Sequence, residues 1–254
     1  MAETISPYVQ LARADNPGIM TLDGTNTWIL RAPGAQSSIV VDPGPPGEHL
    51  DAVLAAAGEV ELVLFTHHHY DHTECIDDIV ERTGAAARAI DSAFCRAGDE
   101  LADGERISAG GVTLEVVATP GHTADSMCLL LVEEASLLTG DTVLGRGTTV
   151  VAWPDGVLGP YLDSLARIRE LITEGLVLRL LPGHGPVVED PPPVVDYYLE
   201  HRAERLEQVR SAVSQGAQTP RDVVEIVYAD VDESLWGAAE LSVRAQLDFL
   251  NTHS

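Results

Sequence analysis

The sequence predicts an α/β or α+β fold, because short apolar segments typical of strands alternate along the chain with segments of helical composition. The chain has 254 residues, enough for one large domain, or for one domain with a small appendage, and for a sizeable buried core. Hydrophobic residues make up 45% and charged residues 22% of the sequence. This is the composition of a soluble globular protein, and it excludes disordered and fibrous classes.

The first half of the chain predicts a hairpin followed by helices and buried strands. Two apolar segments lie between Asn26 and Asp42, and Pro33 and Gly34 separate them, as in two strands joined by a turn. Apolar periodicity and the glycines that interrupt it predict the elements that follow. These are a helix over 49–57, a strand over 60–65, a helix over 73–82 that ends at Gly84, and strands over 112–118 and 127–132.

The second half predicts one amphipathic helix, one strand and a separate helical tail. Leucine and isoleucine recur at helical spacing over 161–174, and 176–181 is a short apolar segment. The proline run at 191–193 is typical of a stiff linker. Three helices are expected after it, over 194–215, from Thr219 onward and from Ser234 to about Leu250. We therefore divide the chain into a domain over 1–190 and a C-terminal helical domain over 191–254.

The charge of the chain narrows the possible functions. Forty acidic residues face 15 basic ones, which gives a formal net charge of −25, and every basic residue is an arginine. Without lysine, P-loop nucleotide hydrolysis and Schiff-base chemistry are excluded. The negative charge also disfavours unaided binding of nucleic acids.

Cysteine usage and the N-terminal segment bear on the compartment. Cys75, Cys95 and Cys128 are odd in number, widely spaced and without a CxxC pattern, which favours reduced thiols. The N-terminal segment has no signal-peptide pattern, and no apolar segment approaches the roughly 20 residues that span a bilayer. We therefore expect a cytoplasmic protein without a membrane partner. The sequence leaves the oligomeric state open.

The strongest chemical signal is the segment 66–72, THHHYDH, which follows an apolar strand and contains HxHxDH. Residues two apart on an extended backbone point the same way, so His67 and His69 can hold one cation while His68 points elsewhere. Asp71 and His72 follow at the turn into a helix, where they can hold a second cation. Imidazole and carboxylate ligands suit zinc and other first-row metals.

Three further segments each place one possible metal ligand in a glycine-flanked turn after an apolar segment. They are TPGHT with His122, TGD with Asp141 and PGHG with His184. Residues at strand ends converge on one edge of a sheet sandwich. One such turn alone carries little weight, whereas the four segments in this order predict a single site.

The ordered set HxHxDH, TPGHT, TGD and PGHG resembles the metallo-β-lactamase superfamily of dinuclear hydrolases over roughly residues 20–190. The resemblance implies a four-layer αβ/βα sandwich. It also implies that His67, His69 and His122 bind a first metal, that Asp71, His72 and His184 bind a second, and that Asp141 bridges both. Asp71 and His72 are the residues that we expect catalysis to require.

The same resemblance implies about two zinc ions per chain, with manganese or iron as alternatives. Zinc lowers the pKa of bound water to about 7, so that hydroxide becomes the nucleophile. Hydrolysis of a small acyl substrate, such as a thioester or lactone, is the first interpretation. A phosphodiesterase or endoribonuclease acting on single-stranded RNA is the second, and a metal-binding protein without turnover is the third.

Three short segments and the helical tail indicate a particular subgroup of this superfamily. The segments NPG at 16–18, GTNTW at 24–28 and TGDTVLG at 139–145, with the helical tail from Tyr198 on, resemble the beta-lactamase-like subgroup that has a C-terminal winged-helix-type domain. A winged helix has a β-hairpin after its third helix, and we expect that wing to be absent here. From residue 191 on, 11 acidic residues face 5 arginines. The tail is therefore a poor candidate for binding RNA.

Individual side chains around the predicted site allow weaker predictions. Arg146 follows Asp141 closely and is a candidate for pairing with an anionic group of the substrate, with a surface salt bridge as the alternative. Tyr161 is a second candidate for substrate contact, with core packing as its alternative. On the first tail helix, Arg202, Arg205 and Arg210 are interleaved with Glu200, Glu204 and Glu207, which are expected to neutralise them.

Overall fold

The computed structural model describes residues 2–252, which form eleven strands and seven α-helices. The strands are β1 (Glu3–Thr4), β2 (Val9–Arg13), β3 (Asn26–Leu30), β4 (Ser37–Val41), β5 (Glu59–Leu64), β6 (Ala86–Arg88), β7 (Arg106–Ala109), β8 (Val112–Ala118), β9 (Met127–Leu131), β10 (Ser136–Gly140) and β11 (Arg179–Pro182). The helices are α1 (Glu48–Ala57), α2 (Tyr70–Thr73), α3 (Ile76–Thr83), α4 (Leu158–Thr173), α5 (Pro191–Ser214), α6 (Pro220–Val227) and α7 (Trp236–Thr252).

The strands form two mixed sheets. Six strands pair in the order β1-β2-β3-β4-β5-β6, and five pair in the order β11-β10-β9-β8-β7. Within the first sheet β4, β5 and β6 run parallel, and within the second β10 and β11 run parallel. The other neighbours are antiparallel. The chain continues from the C-terminal ends of β5, β10 and β11 directly into loops that carry polar residues.

Alternation of side chains along the strands creates four layers. On β9, Leu129 and Leu131 enter the core between the two sheets, while Cys128 and Leu130 face the helices on the outer side. On β4, Val41 likewise faces the second sheet and Val40 faces α1 and α3. Strands buried on both faces need apolar residues at every position, which explains their unbroken apolar segments. The predicted four-layer α/β sandwich is confirmed.

Most of the predicted elements are present with small shifts at their ends. The hairpin is β3 and β4, and the strands predicted at 60–65, 112–118, 127–132 and 176–181 are β5, β8, β9 and β11. The helix predicted over 73–82 corresponds to α3, which begins only at Ile76 because the chain turns at Glu74 and Cys75 after the short helix α2. Gly84 ends α3 in the left-handed conformation, with φ of 71°. Short strands such as β2 and β7 escaped prediction.

The proline run is part of a helix, so its prediction as a linker is wrong. Pro191 to Pro193 form the first turn of α5, where the backbone N–H groups that proline lacks would have no acceptor within the helix. The N-terminal half of α5 packs onto the second sheet, and Val195 and Tyr198 are completely buried there. Its C-terminal half forms a small core with α6 and α7. Over 191–252 the structure has helices and turns and no strand.

In residues 2–252, none of the helices is both long enough and apolar enough to cross a membrane.

Candidate metal centre

Histidine and aspartate side chains meet at one edge of the sandwich, in loops at the C-terminal ends of strands. They comprise His67 and His69 after β5, Asp71 and His72 in α2, His122 between β8 and β9, Asp141 after β10, and His184 after β11. These are the seven side chains that the sequence analysis predicts as metal ligands. The structure brings them into two adjoining groups.

The first group contains three imidazole nitrogens and one carboxylate. Nδ1 of His69 lies 3.0 Å from Nε2 of His67 and 3.1 Å from Nε2 of His122. Oδ2 of Asp141 lies 3.8 Å from Nε2 of His122. One ligand atom from each residue lies within 4.8 Å of the others. Donor atoms that converge in this way can surround one cation.

The second group contains Asp71, His72 and His184. Nε2 of His184 lies 3.2 Å from Nε2 of His72 and 3.2 Å from Oδ2 of Asp71. Asp141 stands between the groups, because its Oδ2 is 3.4 Å from Nε2 of His184 and its Oδ1 is 3.6 Å from Nε2 of His72. Its carboxylate is therefore placed to contact cations in both groups.

Hydrogen bonds on the far side of three imidazoles fix which nitrogen faces the cluster. Nδ1 of His122 donates to the carbonyl of Val150 at 2.8 Å, and Nδ1 of His184 donates to the carbonyl of Gly24 at 3.3 Å. Nδ1 of His72 donates to the carboxylate of Asp42 at 3.0 Å. Because Nδ1 carries the proton that is donated, Nε2 is the nitrogen that each ring turns toward the cluster and can offer to a cation when it is not itself protonated.

The charge states differ between the two groups. Burial lowers the pKa of His67 well below its usual range, and burial together with neighbouring His122 lowers the pKa of His69 to about 4. Burial also lowers the pKa of His184, but the carboxylates of Asp141 and Asp71 outweigh it and raise that pKa to about 10. The imidazoles of the first group are neutral at pH 7, which is the form that binds metals. In the second group, a cation must replace a proton on His184.

The donor set fits divalent cations. Oδ1 of Asp141 is buried and has no hydrogen-bond partner among residues 2–252. A buried carboxylate oxygen without a partner is costly, and a cation between the two groups would satisfy it. The nitrogen and oxygen donors are those that zinc and similar first-row metals bind.

Two residues that the sequence analysis did not single out hold the cluster in place. The carboxylate of Asp42 accepts hydrogen bonds from the N–H and hydroxyl of Thr66, at 2.8 and 2.7 Å, as well as from His72. Asn26 joins the sheets, because its side-chain N–H donates to the carbonyls of Pro182 and Gly185, on either side of His184. The position of Asp42 directly after a strand was the signal that could have revealed it.

His68 points away from the cluster, as the alternation along the motif predicts. Its Nδ1 lies 2.8 Å from Oδ1 of Asp125, and its ring stacks on Phe94 at 6.2 Å between centroids. Two rings of the histidine triplet therefore belong to the first group, and the third packs against a neighbouring loop.

A cleft of about 130 Å³ opens onto the cluster, lined by the loops at 19–22 and 144–150. Arg146 lines it, but its guanidinium already makes two hydrogen bonds to the carboxylate of Asp23, at 2.6 and 2.9 Å. Tyr161 does not line the cleft. It is completely buried and donates its hydroxyl to the carbonyl of Thr142. The expectation that Tyr161 contacts substrate is thus corrected in favour of core packing, because α4 faces inward at this position.

Comparison with known proteins agrees with the fold. A family model described as the metallo-beta-lactamase superfamily matches residues 20–184, and a model of a beta-lactamase associated winged helix domain matches residues 219–252. A metallo-beta-lactamase family protein from Thermus thermophilus has the same fold, with a TM-score of 0.81 at 21% identity over 98% of this chain and 95% of that one.

Two curated relatives extend over most of the chain. The beta-lactamase-like protein 2 homolog of Caenorhabditis elegans is 38% identical, covering 90% of this chain and 79% of the relative. The atrochrysone carboxyl ACP thioesterase of Aspergillus fumigatus is 34% identical, covering 89% and 75%. The chain belongs to the metallo-beta-lactamase superfamily. It is a hydrolase of that superfamily, whose fold implies divalent metal ions.

Proposed function

We propose that this protein is a dinuclear zinc hydrolase that acts on a small acyl substrate, a thioester, lactone or related bond. The observation that carries the proposal is the pair of donor groups that share Asp141. In this proposal His67, His69 and His122 hold one zinc ion, with Asp141 between the two ions. Asp71, His72 and His184 hold the other.

Divalent cations held by these residues would lower the pKa of a bound water to about 7 and would offset the negative charge that develops on the substrate. The chain's own residues set the geometry. Asp42 fixes the ring of His72, and the hydroxyl of Thr25 donates to Oδ2 of Asp71 at 2.8 Å. These contacts lock the ligand side chains before substrate arrives, which is how a site keeps its reacting groups aligned.

Electrostatics and the curated relatives support an acyl substrate. A chain with a net charge of −25 repels polyanions, whereas this charge does not hinder a small acyl compound. The Aspergillus fumigatus relative carries the name of a thioesterase. A cleft of about 130 Å³ opens onto the cluster, where the reacting ester or thioester group would lie.

The proposal also includes two domains and a cytoplasmic location. A separate small core of α5, α6 and α7 supports a division into a catalytic domain over 1–190 and a C-terminal domain over 191–254. Cys75, Cys95 and Cys128 are free thiols, which favours a reducing compartment such as the cytoplasm.

The test is a substrate panel with matched variants. Acyl-thioesters, lactones and labelled single-stranded RNA are offered to the wild type and to Asp71→Ala, His72→Ala and His68→Ala. His68→Ala is the control, since it removes a histidine of the same motif whose hydrogen bond goes to Asp125 and not to the cluster. We expect thioester or lactone turnover that the first two substitutions abolish and the control retains.

Other results would replace the proposal. Cleavage of RNA alone, with the same dependence on Asp71 and His72, would make the protein an endoribonuclease. Two bound metal ions per chain without turnover of any panel member would make it a metal-binding protein.

A further inference from the structure

A second cavity adjoins the metal cleft on the side of the C-terminal helices. It encloses about 290 Å³ between α5, α7 and the loop that follows α6. The cleft and the cavity share the side chains of Ile19 and Met20 and the segment 148–150. A molecule whose reacting bond lies at the metal cluster can therefore extend one arm into this second cavity.

Two arginines line the cavity without a carboxylate beside them. Among residues 2–252, neither Arg202 nor Arg205 lies within ion-pair distance of an acid, whereas ten of the chain's 15 arginines do. The expectation that glutamates on α5 neutralise both is therefore wrong. It holds for Arg210, which pairs with Glu207 at 2.6 Å. In the described part of the chain, no acidic residue lines the cavity.

Arg202 is the more deeply placed of the two. Only 6% of its surface is exposed, and its Nε is buried without a hydrogen-bond partner among the described residues. One of its terminal nitrogens donates to the carbonyl of Thr149, and its guanidinium lies 5.1 Å from the ring centre of Tyr161. A buried charge without a counter-ion is costly, so this arginine is poised to receive an anion.

Arg205 lies one turn along the same helix and is half-buried. It donates to the side chain of Gln208 at 2.8 Å and covers the ring of Tyr228 at 4.8 Å. Burial and the two guanidinium groups lower the pKa of the neighbouring His201, and Glu204 opposes them only in part. The wall formed by α5 is therefore positive, in a protein that is otherwise strongly acidic.

We propose that this cavity binds the anionic end group, a carboxylate or a phosphate, of the non-reacting arm of the substrate. The guanidinium groups of Arg202 and Arg205 hold the anion, since a planar guanidinium matches both groups in shape and charge. Apolar residues of the opposite wall, including Val231, Leu235 and Ala239, contact the methylene groups of the arm. This inference rests on the proposed function, because it names the kind of acyl substrate that the metal site receives.

Arg202 also has a structural role that determines the choice of variant. The carbonyl of Thr149 accepts its hydrogen bond, and the hydroxyl of Thr149 lies 3.2 Å from Nδ1 of His122. Substituting Arg202 would disturb the metal cluster as well as the cavity. Arg205→Met is the cleaner test, and Arg210→Met is its control, with the same loss of charge on the same helix outside the cavity.

The first experiment measures binding of inorganic phosphate by calorimetry to the wild type, Arg205→Met, Arg210→Met and the metal-site variant His184→Ala. We expect Arg205→Met to weaken phosphate binding about tenfold, which corresponds to about 1.4 kcal/mol. Arg210→Met and His184→Ala should keep it. Binding that survives in Arg205→Met and disappears in His184→Ala would place phosphate at the metals and overturn the proposal.

The second experiment compares acyl-thioesters that share one acyl group but differ in the thiol arm, which is neutral, carboxylated or phosphorylated. We expect kcat/KM to favour one anionic arm over the neutral arm by about tenfold, through KM, and Arg205→Met to remove that preference by raising KM for the anionic arm. The better of the two anionic arms identifies the group that the cavity recognises. Equal kcat/KM for all three arms would overturn the anion site while leaving thioester hydrolysis intact.

Failure of the proposed function has a different signature. Phosphate binding that depends on Arg205, without turnover of any acyl compound, would keep the anion site and reject the acyl hydrolase. Salt-sensitive binding of a single-stranded RNA that is lost in Arg205→Met would overturn the small-substrate assignment in favour of a nucleic acid.

Discussion

An alanine at position 183 tests whether the seven converging side chains act as one metal site. Gly183 precedes His184 and lies against the middle of the cluster. A Cβ atom there would lie 2.6 Å from Oδ1 of Asp141 and 2.8 Å from Cε1 of His72. The added methyl group would collide with one side chain of each donor group, so Gly183→Ala perturbs both groups without removing any ligand.

The size of the effect follows from these distances. Ordinary contacts of a Cβ atom begin near 3.4 Å, so the carboxylate of Asp141 and the ring of His72 must each move by about 0.6 to 0.8 Å. Neither moves freely, because Asp42 holds the ring of His72. Disturbing the surroundings of metal ligands lowers metal affinity by about 10- to 100-fold. This range corresponds to about 1.4 to 2.8 kcal/mol.

The assay is metal content per chain by elemental analysis, together with thermal unfolding in the presence and absence of added zinc. Gly237→Ala is the matched control, since a Cβ atom there meets nothing within 4 Å. We expect Gly183→Ala to bind less zinc and to gain less thermal stability from it, while the control equals the wild type. Wild-type zinc content and stabilisation in Gly183→Ala would refute the reasoning.

The remaining predictions concern single ligands, protons and the tail. Asp141→Ala should lose more bound metal than His184→Ala, because Asp141 contacts both groups and His184 one; equal metal content in the two variants would argue against a bridging role. Because the folded pKa of His184 is raised from 6.5 to about 10, its charged form should stabilise the metal-free protein below pH 6.5, and this contribution should be lost as the pH rises through 10. Zinc binding at pH 8 should accordingly release about one proton from His184, measurable by calorimetry in buffers of different ionisation enthalpy, and no release would contradict the raised pKa. Deleting residues 191–254 should lower the melting temperature clearly, because Val195 and Tyr198 are completely buried against the second sheet. The same deletion should have little effect on RNA affinity. Tight, salt-sensitive RNA binding that vanishes in a folded, metal-loaded deletion variant would contradict this prediction.

The sequence alone determined the main buried strands and the ligand types, and the resemblance to a family supplied the four layers. Apolar segments such as 112–118 and 127–132 are local patterns, and the alternation of side chains along a strand converts each into two buried faces. The spacing of His67 and His69 is equally local, because backbone geometry makes residues two apart point the same way. Such local patterns can be recognised in the sequence without knowing which strands pair.

Tertiary structure decided which side chains outside these patterns serve the site. Asn26 meets the segment around His184 only because the two sheets pack face to face. Asp42 reaches His72 through the parallel pairing of β4 and β5. The position of Asp42 after a strand marks it as a candidate, but the local sequence does not name the partner of either residue, since the residues that meet are 30 to about 160 positions apart.

The C-terminal helices show that one local pattern can be compatible with two structures. Its three helices follow from composition, yet the proline run at 191–193 is compatible with a linker and with a first helical turn, and only packing of α5 on the second sheet selects the helix. Charges interleaved along that helix predict mutual neutralisation, but Arg202 faces the core while its neighbouring glutamates face solvent. Helix periodicity gives the relative angle of two side chains, whereas the surface against which the helix packs decides which of them is buried.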